Sequence, residues 1–295
     1  MKVLFGKRSM YMFDPRSGLN VFACLDGSND CTYDIPVPHL VQFQLTTRCN
    51  RRCWFCYVDK SQVIDVDFKK LEYVLKILDK LGVCKIAFGG GEPLTYPHFS
   101  ILKKVRKEVN MSFSVTTNGD LIDRWIDVLK EMDAVRISIY GKNVIEKIEK
   151  LKQEGIYVTI SYLHLGDEEM LNYVIDLVKK FNIKDPLFLM YIGKQFKYSK
   201  EQIEKYVTKL IELIEQGYQI LVDCQLRKYI PRKYILDPFN LGNECGAGKT
   251  MIAITPKLTV KACSICKTEI DFKTWIKHVL NKETNTELLK RDCTI

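Results

Sequence analysis

Apolar and polar positions change period several times along this chain, and the changes mark out its elements. SMYMF and LNVFACL, within residues 7–25, alternate as strands around Asp14-Pro15-Arg16-Ser17-Gly18, a turn-forming run, which predicts a β-hairpin. Past the proline-bounded Ile35-Pro36-Val37-Pro38, LVQFQL at 40–45 reads as a strand. Residues 66–81 then carry Phe68, Leu71, Val74, Leu75, Ile77 and Leu78 on one helical face. Strands at 84–88, 111–116, 134–139, 156–163 and 186–190 follow, with helices at 98–108, 121–131, 143–154 and 168–181. Six strands alternating with five helices predict βα units and a parallel sheet. Six strands fall short of an eight-stranded barrel, so the expected α/β fold is an open, partial barrel.

A longer helix is predicted from 200 to 216, with Ser199 as its N-cap and Gln202 three positions on. A short strand (218–222) and a linker with Pro231 and Pro238 come next. Beyond them MIAIT and LTVKA form a hairpin candidate across Pro256-Lys257, and a helix is expected near 282–291. The chain thus divides into a hairpin extension (1–39), a barrel core (40–198), a connecting helix and linker (199–238) and a small cysteine-rich domain (239–295).

Composition narrows the class. Of 295 residues 46% are hydrophobic and 27% charged, which excludes a disordered or low-complexity chain. No run approaches the roughly 18 apolar residues of a membrane span. Charges interrupt the short apolar run of the opening MKVLFGKRSMYMFDPRSG, so no signal peptide is read there. A cytoplasmic protein without a membrane partner is the expectation. The net charge, 45 − 36 = +9, permits an acidic partner without naming one. LKKVRK at 102–107 lies on a predicted helix without interleaved aromatics, so it reads as a solvated face and no nucleic acid is expected. His39, His98, His164 and His278 are not spaced as a metal pair.

Cysteine usage carries the chemistry. Eleven cysteines, an odd number without an export signal, argue against a disulfide framework and for metal or redox chemistry. Three of them, Cys49, Cys53 and Cys56, fall in one loop immediately after the first barrel strand, in the run CNRRCWFC. Zinc is the plain alternative, but a structural zinc site wants a fourth ligand and none is suitably spaced. Three thiolates on a four-iron cluster would leave one iron open to a substrate or cofactor.

This segment resembles the signature of the radical S-adenosylmethionine enzymes, a three-cysteine loop with an aromatic residue before the last cysteine, after the first strand of a partial (β/α)6 barrel. The resemblance covers residues 40–190 by element order. A second motif supports it: Gly89-Gly90-Gly91-Glu92-Pro93 follows the second strand, where the family meets the methionine amino group. The resemblance implies that Cys49, Cys53 and Cys56 hold a catalytic [4Fe-4S] cluster whose open iron chelates S-adenosylmethionine. Phe55 would lie against adenine, and Gly89, Gly90, Gly91 and Glu92 near the methionine ammonium. Thr117, Asn118 and Ser138 match positions that face the methionine and ribose, and also read as ordinary strand-end caps. Tyr140 stands where many relatives carry an acidic residue and is expected to pack. The implied chemistry is reductive cleavage to a 5′-deoxyadenosyl radical that takes a hydrogen atom from substrate, fed by a reducing partner such as flavodoxin or ferredoxin.

Cys245-Gly246-Ala247-Gly248, the hairpin candidate and then Cys263 and Cys266 resemble the auxiliary-cluster extension of these enzymes, of the SPASM or twitch type. The usual turn glycine is Leu258 here, which predicts a different turn. One auxiliary [4Fe-4S] cluster is expected, on Cys245, Cys263, Cys266 and Cys293, with Cys224 as the rival fourth ligand; sulfur count alone suits zinc equally. Cys224 is also a candidate hydrogen donor. Cys24, Cys31 and Cys84 read as small buried hydrophobes. The leading expectation is modification of a ribosomally made peptide or protein by crosslinking, epimerisation or oxidation. The alternatives are a small-molecule dehydrogenase or cofactor-biosynthesis enzyme, and a non-catalytic, metal-stabilised redox or binding protein. A molybdenum-cofactor cyclase usually ends in a double glycine, whereas this chain ends Asp292-Cys293-Thr294-Ile295. The N-terminal hairpin suits a docking strand or a lid on the barrel.

Overall fold

Three short strands open the chain: β1 (Lys2–Phe5), β2 (Ser9–Phe13) and β3 (Asn20–Cys24) pair antiparallel as one small sheet. The structure is a computed structural model describing residues 1–242, 244–283 and 285–292, with the side chain of residue 287 outside that description. The predicted hairpin is β2–β3; β1 adds a strand whose four residues were too short a run to read.

From β4 (Leu40–Thr46) the chain alternates as expected, through α1 (Phe68–Leu81), β5 (Lys85–Gly90), α2 (Ile101–Glu108), β6 (Ser112–Thr117), α3 (Ile122–Leu129) and β7 (Ala134–Ile139). It continues through α4 (Ile145–Gln153), β8 (Val158–His164), α5 (Glu168–Phe181), β9 (Leu187–Met190), α6 (Lys200–Glu215) and β10 (Leu221–Val222). Neighbouring strands from β4 to β10 pair parallel. The capping box of α6 forms as predicted, with Ser199 and Gln202 bonding reciprocally.

The C-terminal hairpin, β11 (Met251–Ile254) and β12 (Thr259–Lys261), joins this sheet rather than standing apart. β11 pairs parallel with β4, and β12 and β13 (Glu269–Asp271) continue antiparallel, giving the order β10-β9-β8-β7-β6-β5-β4-β11-β12-β13. The expected helix near 282–291 is reduced to α8 (Asn285–Leu288). A stronger helix, α7 (Phe272–Leu280), precedes it; Asp271 caps it, and Phe272, Trp275 and Val279 are buried at helical spacing. Leu258 adopts φ 61°, the left-handed conformation a glycine would supply, so the turn keeps its shape despite the substitution. That corrects the expectation of a different turn. No helix among the described residues is long and apolar enough to cross a membrane.

Right-handed crossovers put the barrel helices on one face of the sheet. On that side Val41, Phe43, Ile86, Phe88, Phe113, Val115, Val135 and Ile137 are buried. Their alternates, among them Gln42, Gln44, Lys85, Ser112, Ser114, Arg136 and Ser138, keep part of their surface. Over β4 to β7 the second face of the sheet is therefore polar and keeps part of its surface, whereas on β8 its Thr159 and Ser161 are buried.

The N-terminal sheet sits at the strand starts. Tyr11 and Phe13 pack with Tyr33, Ile35, Cys84 and Phe239, and both rings meet His39 edge-on. Cys24 and Cys31 are not independent buried hydrophobes: they form a disulfide, their Cα atoms 5.7 Å apart after the loop between them turns back. Cys84 is free and buried, as expected.

Candidate functional site

The long loop after β4 is closed at its base. Thr46 donates its hydroxyl to Asp65 at 2.5 Å, and Arg48 pairs with the same carboxylate at 2.8 Å. Within the loop Cys49, Cys53 and Cys56 are unpaired and half-buried. The Cys56 N–H turns back onto the Cys53 carbonyl at 3.2 Å, and the Arg51 N–H reaches the Cys49 sulfur at 3.4 Å. Lys60 donates to the Arg51 carbonyl at 3.1 Å. Burial pulls the Lys60 ammonium down, but the neighbouring Cys56 and Cys49 thiols outweigh it and raise its pKa. Burial likewise pushes the Cys53 thiol up. Among the described residues no three His, Cys, Asp or Glu side chains gather about a point suited to one ion. Zinc needs thiolates within about 2.3 Å of one centre, whereas a four-iron cluster takes each thiolate on a separate iron; three free thiols on one loop beside a lysine fit the cluster.

The glycine run packs directly on this loop. The Gly91 and Glu92 N–H groups donate to the Thr46 and Arg48 carbonyls, each at 2.7 Å. A Cβ on Gly91 would stand 2.0 Å from the Arg48 carbonyl oxygen; one on Gly90, whose φ is 128°, would stand 2.3 Å from that of Thr46. A Cβ on Gly89 would meet nothing within 4 Å. Close approach at Gly90 and Gly91 is thus to the cysteine loop, and Gly89 alone borders open space.

Glu92 is held inside the protein. Only 2% exposed, its carboxylate accepts the Thr117 hydroxyl at 2.6 Å, the Asn118 N–H at 2.8 Å and the Leu94 N–H at 3.1 Å. Burial raises its pKa, and those hydrogen bonds pull back against the shift. Thr117 and Asn118 therefore serve Glu92 first. The Asn118 side chain reaches on to Asn50 in the cysteine loop at 2.8 Å, and Asn50 and Arg51 both bond Asp120. Sequence reading missed Asp120, although Asn118-Gly119-Asp120 is a turn signal after a strand. Ser138 meets Ser161, hydroxyl to hydroxyl, at 3.2 Å. Phe55 stacks on Tyr140, with ring centres 5.8 Å apart, and the Arg51 guanidinium lies 5.2 Å over the Tyr140 ring. Tyr140 itself stays 45% exposed, held by these two contacts.

The second cysteine group forms two contacts. Cys263 and Cys266 lie 3.4 Å apart, sulfur to sulfur. Cys224 hydrogen-bonds Cys245 and, with help from the Ala247 N–H, Arg291 and Arg227, holds that thiol down to about 6. Burial pushes Cys263 up to about 12. Gln42 on β4 accepts both the N–H and hydroxyl of Ser264, at 3.2 and 2.5 Å, tying this loop to the barrel. Tyr57, next to Cys56, lies against Ser264 and near Cys263, so the two cysteine loops are neighbours. Cys293 lies outside the described residues.

The family model described as the radical SAM superfamily matches residues 43–142. A probable GTP 3′,8-cyclase of Thermoplasma volcanium is 37% identical over 114 residues, 37% of this chain and 35% of the relative. The GTP 3′,8-cyclase of Clostridium botulinum (strain Langeland) is 24% identical over 271 residues, covering 80% of this chain and 84% of that protein. Streptococcus suis SuiB bound to precursor peptide SuiA superposes with a TM-score of 0.67 at 16% identity, over 82% of this chain and 65% of that one, a likeness of fold. The chain thus spans only about a third of the length of the Thermoplasma relative. Both the cysteine loop and the glycine turn fall inside residues 43–142, the segment that matches the radical SAM superfamily model.

Proposed function

We propose that this enzyme cleaves S-adenosylmethionine reductively and takes a hydrogen atom from a small molecule held on the uncovered face of the sheet. The observation that carries the reading is the pairing of three free thiols in one loop with an adjoining glycine turn whose Gly89 borders open space. In this reading Cys49, Cys53 and Cys56 hold the catalytic [4Fe-4S] cluster, and Gly89 offers backbone to the methionine end of the cofactor. Gly90, Gly91, Glu92, Thr117 and Asn118 keep loop and turn in register. Phe55 and Ser138 border the same face. Cluster and S-adenosylmethionine, once bound and reduced by a flavodoxin or ferredoxin, supply the hydrogen-atom abstraction.

A small molecule is favoured over a peptide on two grounds. The N-terminal sheet packs over the strand starts, which closes that end of the barrel, and the cyclase relatives are named for GTP. The contact between Cys224 and Cys245 supports a second four-iron site on Cys224, Cys245, Cys263 and Cys266 within the small C-terminal region, with Cys224 a ligand rather than a hydrogen donor. Peptide modification stays as the second reading, favoured by the exposed apolar Val3, Phe5 and Val21 on the N-terminal sheet.

Anaerobic reconstitution followed by dithionite and S-adenosylmethionine tests the core of this reading. 5′-Deoxyadenosine should form in the loaded enzyme and not in Cys53→Ala. Its absence from an enzyme with full iron content overturns the proposal.

A further inference from the structure

On the uncovered face of the barrel strands two cations, Arg136 and Lys85, share one nearby carboxylate, Asp185. Arg136 lies on β7 between Val135 and Ile137, which are buried against the helices, so its side chain leaves on the other face. Its Nε is buried without a hydrogen-bond partner. The nearest carboxylate, Asp185, stands 4.0 Å from the guanidinium and already accepts the Tyr157 hydroxyl at 2.8 Å. Lys85 opens β5 on the same face, with its ammonium 5.2 Å above the Phe13 ring. Asp185 acts on Lys85 as well, and burial lowers the pKa of both cations. Ser112, beside Lys85, and Thr116, beside Arg136, lie on the strand between them, are short and keep part of their surface.

A buried guanidinium with an idle donor costs stability unless something pairs with it. Here the polar face keeps part of its surface over β4 to β7 while the apolar face is packed, so the missing partner can arrive from outside. We propose that Arg136 and Lys85 form the receptor for an anionic group, phosphate or carboxylate, at one end of the substrate. The inference rests on the small-molecule reading above and adds the substrate's charge and length. Five residue steps separate Lys85 from Gly90, about 16 Å of strand. The substrate is therefore extended, with its anion at the strand starts and its reacting carbon toward the cysteine loop. Arginine suits the role because its fork bonds two oxygens of one oxyanion.

Titration calorimetry on the reconstituted enzyme tests this, with inorganic tripolyphosphate and citrate as the probes. At least one should bind, and its affinity should fall as salt rises. Arg136→Gln and Lys85→Gln should each weaken that binding about tenfold, with Arg136→Lys in between. Asp185→Asn should tighten it several-fold, because the one competing carboxylate is gone; a brace between Arg136 and Asp185 would show no such gain. The stronger probe identifies the anion as phosphate-like or carboxylate-like, and either result supports the site. Failure of both probes to bind, or unchanged affinity in Arg136→Gln together with no tightening in Asp185→Asn, overturns it. An enzyme that binds the anion yet forms no 5′-deoxyadenosine overturns the radical reading and leaves the site standing.

Discussion

Arg51 and Asp120 form a two-pronged ion pair, Nε to Oδ2 at 2.7 Å and a terminal nitrogen to Oδ1 at 2.5 Å. It fastens the cysteine loop to the turn after β6, and Lys147 reaches the same carboxylate at 2.6 Å. Paired, charge-assisted bonds of this kind fix orientation as well as distance. The loop's shape is thus held by the protein itself.

That pairing sets a pH dependence. The hydrogen bond from Arg51, with Lys147 adding to it, holds the Asp120 carboxyl down to about 2, against an ordinary 3.8. A depressed carboxyl stabilises the fold above its ordinary pKa and loses that contribution as pH falls toward the depressed value. Because the pair is partly solvated, its worth is about 1 kcal/mol rather than the full shift. Asp120→Asn should cost that much in urea unfolding near neutral pH, and the gap to wild type should close as pH falls from 3.8 toward about 2. A gap that stays constant through this window would refute the assignment.

The glycine run predicts three unlike substitutions. Alanine at Gly91 or Gly90 drives a Cβ into the Arg48 or Thr46 carbonyl, and a backbone oxygen cannot swing away. Each should cost about 2–4 kcal/mol and impair iron uptake by the adjoining loop. Alanine at Gly89 meets only open space, so its melting temperature should match wild type while S-adenosylmethionine binds more weakly. Equal melting temperatures in all three variants would contradict the packing described.

How much of this was written in the sequence depends on the range over which each signal acts. The parallel strands and their helices were legible because apolar period and burial report the same face, as Val41 and Phe43 show against Gln42 and Gln44. The three-cysteine loop was legible because its cysteines are neighbours in the chain. The partners of Glu92 were not: its bonds run to Thr117 and Asn118, about 25 residues away and known only once β5 and β6 are adjacent. Cys24 and Cys31 were misread because cysteine number and export signals speak of compartment, not of how a seven-residue step folds back. The contact of Cys224 with Cys245 belongs to the same class. Leu258 shows the reverse error, since a residue type that disfavours a positive φ does not prevent one when both flanking strands demand the turn.

The Cys24–Cys31 bond should matter locally. Closing so short a loop removes at most about 2.5 kcal/mol of denatured-chain freedom. Its loop is also tied to the linker before the second cysteine group, because Asn240 donates to the Asn29 and Cys31 carbonyls at 3.1 and 3.2 Å. Cys24→Ser/Cys31→Ser should therefore lower stability by about 2 kcal/mol or less and raise amide exchange in residues 25–34 and near Asn240, while β4–β8 stay protected. Uniformly faster exchange across the barrel strands would contradict a local clasp.

Cys224 carries two readings, cluster ligand and hydrogen donor, and iron content can decide between them. A ligand and a hydrogen donor make opposite demands: the ligand must be a thiolate shared with a cluster, the donor a thiol left free for substrate. Replacing Cys49, Cys53 and Cys56 together with alanine removes the catalytic loop as an iron site and leaves the second group alone. Such a chain should retain roughly four irons if Cys224, Cys245, Cys263 and Cys266 hold one cluster. Adding Cys224→Ser should then lower the iron or change the reduced cluster's electron paramagnetic resonance spectrum, as a serinate replaces a thiolate. A donor role predicts identical iron and an identical spectrum, because the cluster would never have contained that sulfur. Adding Cys263→Ala instead provides the control: its contact with Cys266 makes loss of iron there the expected result whichever role Cys224 plays.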